Sequence, residues 1–93
     1  DKVLTDLGFE LRDLDSKEKE RLDKDGVRVV SIYNESKIAK TNMDPGYIIT
    51  TANGKKISDV DQLIKILEKG KGKIYLNGFY ENYSGEWPYT FSL

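Results

Sequence analysis

The chain contains one long amphipathic helical segment, and its other apolar residues fall into short strand-like runs. Four apolar residues of this segment stand at relative positions 0, 3, 4 and 7, the repeat of a helix with one apolar face: Val60, Leu63, Ile64 and Leu67. Ser58 or Asp59 can cap the start of the helix, and Gly70 follows its end. Because such a helix must bury its apolar face against other elements, a chain of 93 residues with this pattern is expected to form a single α+β domain.

Strand-like runs and turn signals alternate over the rest of the chain. The predicted strands cover residues 3–14, 27–33, 47–52, 55–57, 73–80 and 87–93, and the predicted short helices cover residues 15–24 and 36–43. Asp15 and Glu18 have the spacing of a capping box, and Gly26 marks the expected stop of this mostly solvated helix. Asn53-Gly54 predicts a hairpin. The order predicts a small antiparallel sheet or partly open barrel.

The balance of charge argues against two classes of partner. The chain has 15 basic and 16 acidic residues, interspersed along its length, and a formal net charge of -1. Such a chain has no field of one sign that would attract phosphate backbones or anionic lipid. No apolar run approaches the roughly 18 residues of a membrane-spanning helix. We therefore expect neither nucleic acid nor membrane insertion.

The sequence has no cysteine and no histidine. Their absence excludes disulfides, Ser-His-Asp triads, Cys-His pairs and zinc sites built from imidazole or thiolate. The pairs Asp59/Asp61 and Asp23/Asp25 could be considered as metal or acid-base groups, but the spacing of a calcium loop is missing and a solvated surface is favoured. We expect no catalytic residue, no metal and no cofactor, and a binding role is favoured over an enzymatic one.

The C-terminal part of the chain is rich in aromatic residues: Tyr75, Phe79, Tyr80, Tyr83, Trp87, Tyr89 and Phe91. Such rings could stack on nucleic-acid bases. Core and cross-strand packing is favoured instead, because no basic groove surrounds them.

Two stretches of the chain carry a family resemblance. Asp6-Leu7-Gly8-Phe9 resembles the carboxylate-binding loop of PDZ domains, and SKIAKTNMDPGYIITTANGKKI (residues 36–57) resembles the middle of bacterial HtrA-type PDZ domains. The matching positions of the second stretch are Ser36, Ala39, Pro45, Gly46, Ile49, Asn53, Gly54 and Ile57, with Met43 in place of leucine. Tyr47 stands where the family usually has Asp. Asn42 replaces a glycine, a mild change because Asn tolerates positive φ.

The resemblance extends from about Leu7 to Leu93 and implies a PDZ-like small antiparallel β-sandwich or partly open barrel, with one long and one or two short helices in the bacterial permuted topology. Only six residues precede Leu7, so we expect them not to supply a full strand and residues 89–93 to fill that place. Residues 1–93 are thus expected to form one PDZ domain. The start at Asp1 instead of Met suggests a fragment of a larger protein.

The chemistry of peptide capture assigns roles to the N-terminal loop and strand. Leu7, Gly8 and Phe9 would donate backbone N–H groups to a terminal carboxylate, because Gly8 allows a bend that turns consecutive amides inward. Phe9, Glu10 and Leu11 would then pair with the peptide as an added antiparallel strand.

The amphipathic helix supplies the other side of the expected groove. Val60, Ile64 and Leu67 would form the wall opposite the strand and leave a pocket for the last apolar side chain of the peptide. Leu63 is expected to lie in the core.

The resemblance implies a non-catalytic module, the C-terminal PDZ domain of an HtrA/Deg-type (DegP/DegQ-like) serine protease in the periplasm or cell envelope. Its expected partners are hydrophobic C-termini of peptides or proteins, together with other domains and subunits of the parent protease. Its role would be substrate recognition or regulation. A structural oligomer-assembly domain with a closed groove remains an alternative, and a small enzyme is a third.

Overall fold

Seven strands, two α-helices and one 3-10 turn are present in a computed structural model that describes residues 2–4 and 7–93. In chain order they are β1 (Lys2–Leu4), β2 (Phe9–Asp13), α1 (Ser16–Leu22), β3 (Val27–Ile32), the 3-10 turn (Ala39–Thr41), β4 (Ile48–Ala52), β5 (Lys55–Lys56), α2 (Val60–Lys69), β6 (Lys73–Phe79) and β7 (Tyr89–Ser92). The predicted α+β class is confirmed.

The strands form one antiparallel sheet that curls into a half-barrel. Its order is β1-β2-β3-β4-β6-β7, and β5 pairs with β4. The register shifts between Glu10 and Leu11 on β2, and again between Ile49 and Thr51 on β4. Such irregularities bend a strand and increase its twist, which helps a short sheet to curl around its core.

The core lies inside this half-barrel and is closed by α2. Phe9 and Leu11 of β2 are fully buried while Glu10 between them is partly exposed, so β2 turns one face inward as its alternation predicted. Leu63 of α2 is also fully buried, which confirms its predicted place in the core. Gly78 of β6 has a packing role, because a Cβ there would lie 1.9 Å from the Ile48 carbonyl oxygen.

Both helices begin where capping chemistry predicts. Asp15 and Glu18 form the predicted capping box of α1, and Asp59 caps α2 by accepting a 2.8 Å hydrogen bond from the Gln62 N–H. The predicted stop at Gly26 is wrong, because α1 already ends at Leu22 and Asp23 takes the left-handed conformation, with φ 53°. An aspartate tolerates this conformation better than most side chains, so a glycine is not needed.

The end of the chain folds as the predicted hairpin. Strands β6 and β7 pair antiparallel, with Lys73 opposite Ser92 and Leu76 opposite Tyr89. This hairpin places β7 at the sheet edge farthest from β1. Among the residues that the structure describes, no helix is long and apolar enough to span a bilayer.

Candidate functional site

The loop that precedes β2 depends on a glycine for two reasons. Gly8 has φ +95°, and a Cβ at this position would lie only 2.0 Å from the Cβ of Ser36. A larger residue would therefore be strained and would also overlap the segment that follows β3. The Leu7-Gly8 part of the predicted loop is thus tightly packed, while Asp6 lies outside the described residues.

Two carbonyl groups of this loop are bonded to the segment after β3. The Gly8 carbonyl accepts a 2.8 Å hydrogen bond from the Tyr33 N–H, and the Leu7 carbonyl accepts a 3.1 Å bond from the Ile38 N–H. In a trans peptide group the C=O and N–H point in opposite directions. The N–H groups of Gly8 and Phe9 therefore both point away from that segment. Two consecutive amides directed to one side form a concave donor site for an anion.

The backbone of β2 also points away from β3 at two positions. Phe9 pairs with Ile32, but the bond beside this pair joins the Tyr33 N–H to Gly8, so the pair is of the type that does not exchange hydrogen bonds. Leu11 pairs with Val29, whose own N–H and C=O bond towards β4. The N–H and C=O groups of Phe9 and Leu11 consequently face the other edge of β2.

That edge of β2 is occupied by β1. Lys2 lies opposite Leu11, and Leu4 lies opposite Phe9, in an antiparallel pair. The residues before Leu7 were expected not to supply a full strand, and β1 contains only three residues. Residues 89–92 form β7, which pairs with β6 at the other end of the sheet and does not reach β2. An exposed strand edge offers backbone groups that even a segment as short as β1 can satisfy.

One side-chain contact joins β2 to α2. The Asp13 carboxylate at the end of β2 accepts a 2.8 Å hydrogen bond from the Val60 N–H at the start of α2. Strand and helix therefore touch at this end, and the β2 edge between this contact and the Gly8 loop is only a few residues long. Sequence reasoning missed Asp13, although an aspartate at the end of a strand is a frequent partner for free backbone N–H groups.

The three predicted wall residues of α2 differ in burial. Val60 and Leu67 are each 8% exposed and belong to the same core cluster as Leu7 and Phe9. Ile64 is partly exposed and packs against the border of this cluster. The apolar face of α2 is therefore already largely packed, and Ile64 is the most accessible of the three predicted wall residues.

The sequence matches no family model and no curated protein. A solved structure of the HtrA3 PDZ domain bound to a phage-derived ligand, FGRWV, is similar in fold, with a TM-score of 0.79 and 16% sequence identity. The match covers 92% of this chain and 81% of that chain. The chain has the PDZ fold.

An ion network supports the PDZ fold on the side of α1. Glu18 is only 6% exposed and accepts two hydrogen bonds from Arg12, at 2.6 and 3.0 Å, and one from Arg28 at 2.9 Å. The bonds from Arg12 are the main reason why the pKa of Glu18 falls to about 2, although burial opposes this shift. The prediction of a mostly solvated helix missed Glu18, because its arginine partners lie on β2 and β3.

Tyr47, which departs from the family pattern, is a core residue of this PDZ fold. Its ring is fully buried between Tyr80 and Tyr89, with ring centroids 5.1 and 4.9 Å away, and its hydroxyl donates to the Trp87 carbonyl. Burial raises the pKa of Tyr47 well above its usual value. The favoured interpretation of the C-terminal aromatics as packing residues holds for Tyr80 and Phe91, which are buried, whereas Tyr75, Tyr83 and Trp87 are exposed. Asn42 has φ 67°, as expected for a residue that replaces glycine.

The acidic residues weighed as metal ligands do not form a cluster. Within residues 2–4 and 7–93, no group of three or more acidic side chains is arranged to hold a metal ion. The donors at the candidate site are backbone N–H groups, which suit an anion and the edge of an extended peptide.

Proposed function

We propose that this chain is a peptide-binding module that captures a free C-terminus by adding a strand to β2. The observation that carries the proposal is that the N–H groups of Gly8 and Phe9 both point away from the segment after β3. They lie at the start of the β2 edge to which Phe9 and Leu11 direct their N–H and C=O groups. A terminal carboxylate fits the first feature, and an extended peptide fits the second.

The proposed binding register follows from strand geometry. A peptide with its carboxylate at the Gly8 loop runs antiparallel to β2, so its last residue lies opposite Phe9 and its third-last residue lies opposite Leu11. Residues directly opposite each other place their side chains on the same face of a sheet. Since Phe9 and Leu11 face the core, the last side chain of the peptide would point towards Leu7, Ile64 and Leu67. An apolar last residue is therefore preferred.

The fold neighbour supports this use of the fold, since the HtrA3 PDZ domain was crystallised with the ligand FGRWV. We also propose that the module belongs to an HtrA/Deg-type serine protease of the periplasm or cell envelope. There it would serve substrate recognition or regulation and contact other domains or subunits. This part of the proposal depends on the resemblance of residues 36–57.

The expected affinity is modest. Burial of one apolar side chain contributes about 1.5–3 kcal/mol, and ordering of a flexible peptide opposes binding by several kcal/mol. The backbone pairing and the carboxylate contacts have to supply the rest of the binding free energy. We expect a Kd on the order of 1 μM.

The test compares two forms of one peptide. Fluorescence polarisation with labelled FGRWV should show binding of the form with a free carboxylate and at least about tenfold weaker binding of its C-terminally amidated copy, because amidation removes the charged acceptor. Equal binding of the two forms would contradict carboxylate capture.

The alternative, an assembly domain with a closed groove, is favoured by one observation, the pairing of β1 with β2. Light scattering coupled to size-exclusion chromatography distinguishes the two functions. A concentration-dependent oligomer that forms without any carboxylate-dependent peptide binding would support assembly instead of capture.

A further inference from the structure

Strand β1 lies in the register that the proposed ligand would take. It runs antiparallel to β2 and towards the Gly8 loop, with Lys2 opposite Leu11, Val3 opposite Glu10 and Leu4 opposite Phe9. Leu4 thus occupies the register position of the last ligand residue. Because a strand has room for one neighbour on each side and β3 holds one side of β2, a peptide and β1 cannot both pair with the other side at the same time.

The backbone contacts of β1 can be assigned from those of β2. Phe9 and Leu11 direct their N–H and C=O groups away from β3, so the pairs Leu4–Phe9 and Lys2–Leu11 are the hydrogen-bonded ones. Val3 lies between them, and its backbone groups face away from β2. The N–H of Leu4 is therefore part of the β1–β2 ladder, whereas the N–H of Val3 is not.

β1 differs from a true C-terminus in one chemical respect. The chain continues to Thr5 after Leu4, so the Leu4 carbonyl belongs to a neutral peptide group and not to a carboxylate. Charge-assisted hydrogen bonds to N–H donors are roughly twice as strong as neutral ones. A free C-terminus can therefore gain contacts at the Gly8 loop that β1 lacks. The advantage of β1 is that it belongs to the same chain and has a high effective concentration.

We propose that β1 is an intramolecular competitor that keeps the peptide site closed until a free C-terminus displaces it. This inference rests on the proposed function and assigns a regulatory role to residues 2–4. The apparent Kd for a peptide is then the intrinsic Kd divided by the fraction of molecules with β1 undocked. Any change that weakens the β1–β2 ladder should tighten peptide binding.

Two proline substitutions in the full chain provide a matched test. Leu4→Pro removes an N–H that bonds to β2, whereas Val3→Pro removes an N–H that faces away, where an edge strand tolerates proline. Titration with labelled FGRWV should give a Kd about 5- to 20-fold lower for Leu4→Pro than for the wild type. Val3→Pro should stay within about twofold of the wild type. Deletion of residues 1–4 should reproduce the effect of Leu4→Pro.

Hydrogen exchange of the free protein gives a readout that needs no ligand. The amides of Phe9 and Leu11 should be protected in the wild type and in Val3→Pro, and should exchange faster in Leu4→Pro. Unprotected Phe9 and Leu11 amides in the wild type would overturn the proposal.

Two outcomes of the titration distinguish failure of the competition by β1 from failure of the proposed peptide binding. The same carboxylate-dependent Kd in all four proteins would overturn the competition by β1 and leave peptide capture intact. Equal affinity for free and amidated FGRWV in every protein would overturn the proposed function, and with it this inference.

Discussion

The Asp13 carboxylate accepts a 2.8 Å hydrogen bond from the Val60 N–H, and this contact joins the end of β2 to the start of α2. The first N–H groups of a helix have no partner within the helix, so Asp13 acts as a second cap beside Asp59. The contact lies at the end of the β2 edge that the proposed peptide would use. It links residues 47 positions apart in sequence.

Removal of the Asp13 carboxylate should destabilise the domain. We expect Asp13→Ala to lower the free energy of unfolding by about 1 kcal/mol, because the Val60 N–H loses its acceptor. Asp13→Asn keeps a side-chain oxygen and should recover most of this loss. Urea unfolding of both variants checks the prediction, and identical midpoints for Asp13→Ala and wild type would disprove it.

The buried Glu18 should make stability depend on acidic pH. The pKa of Glu18 is lowered in the folded protein from 4.5 to about 2, so its contribution to stability is present above pH 4.5 and disappears as the pH falls through 2. Glu18→Gln should therefore be destabilised at pH 7, by at most about 3 kcal/mol. The gap to wild type should shrink between pH 5 and about pH 2.

Glu20→Gln is the matched control, since Glu20 lies exposed on the same helix. Its stability should follow that of the wild type at both ends of the pH range. Urea unfolding at several pH values measures all three proteins. A gap between wild type and Glu18→Gln that is constant with pH would show that Glu18 does not ionise with a lowered pKa.

Substitution of Tyr47 should show whether this domain depends on a buried aromatic ring at the position where the family usually has Asp. Tyr47→Phe keeps the ring and loses the hydroxyl that donates to the Trp87 carbonyl, so we expect a loss of about 1 kcal/mol. Tyr47→Asp restores the residue usual in the family but buries a charge, and should cost about 4 kcal/mol or more. Thermal unfolding compares both with Tyr75→Phe, whose ring is 56% exposed. A stable Tyr47→Asp variant would contradict the cluster's role.

Alanine substitutions at two glycines should separate backbone strain from packing. Gly8 and Gly46 have nearly equal φ angles, +95° and +97°, but only Gly8 lacks space for a Cβ, because Ser36 is close. Gly46→Ala should cost about 1–2 kcal/mol from the left-handed conformation alone. Gly8→Ala should cost more and weaken binding of FGRWV. Equal unfolding midpoints for the two variants would contradict the tight packing of the loop.

Local sequence signals predicted most of the secondary structure. The stripe from Val60 to Leu67 forms α2, and Asn53-Gly54 forms the turn between β4 and β5 with positive φ at both residues. These features depend on neighbours within a few positions, which a sequence pattern records directly. Gly8 was predicted for the same reason, since a glycine within an apolar alternation marks a bend.

Contacts between distant segments were not predictable in this way. Glu18 has the pattern of a solvated helix residue, and only the approach of Arg12 and Arg28 from two strands makes its burial favourable. Docking of β1 on β2 also depends on tertiary structure, because β2 must first present an edge. Tyr47 was recognised as a departure from the family, but its partners are more than 30 residues away.

The most direct test of carboxylate capture follows the amide signals of Gly8 and Phe9 by two-dimensional NMR during titration with FGRWV. With a free C-terminus, both amide protons should shift downfield as they donate to the carboxylate, and the amidated peptide should leave them nearly unchanged. If neither signal moves, or if both peptides move them equally, the Gly8 loop does not bind a carboxylate.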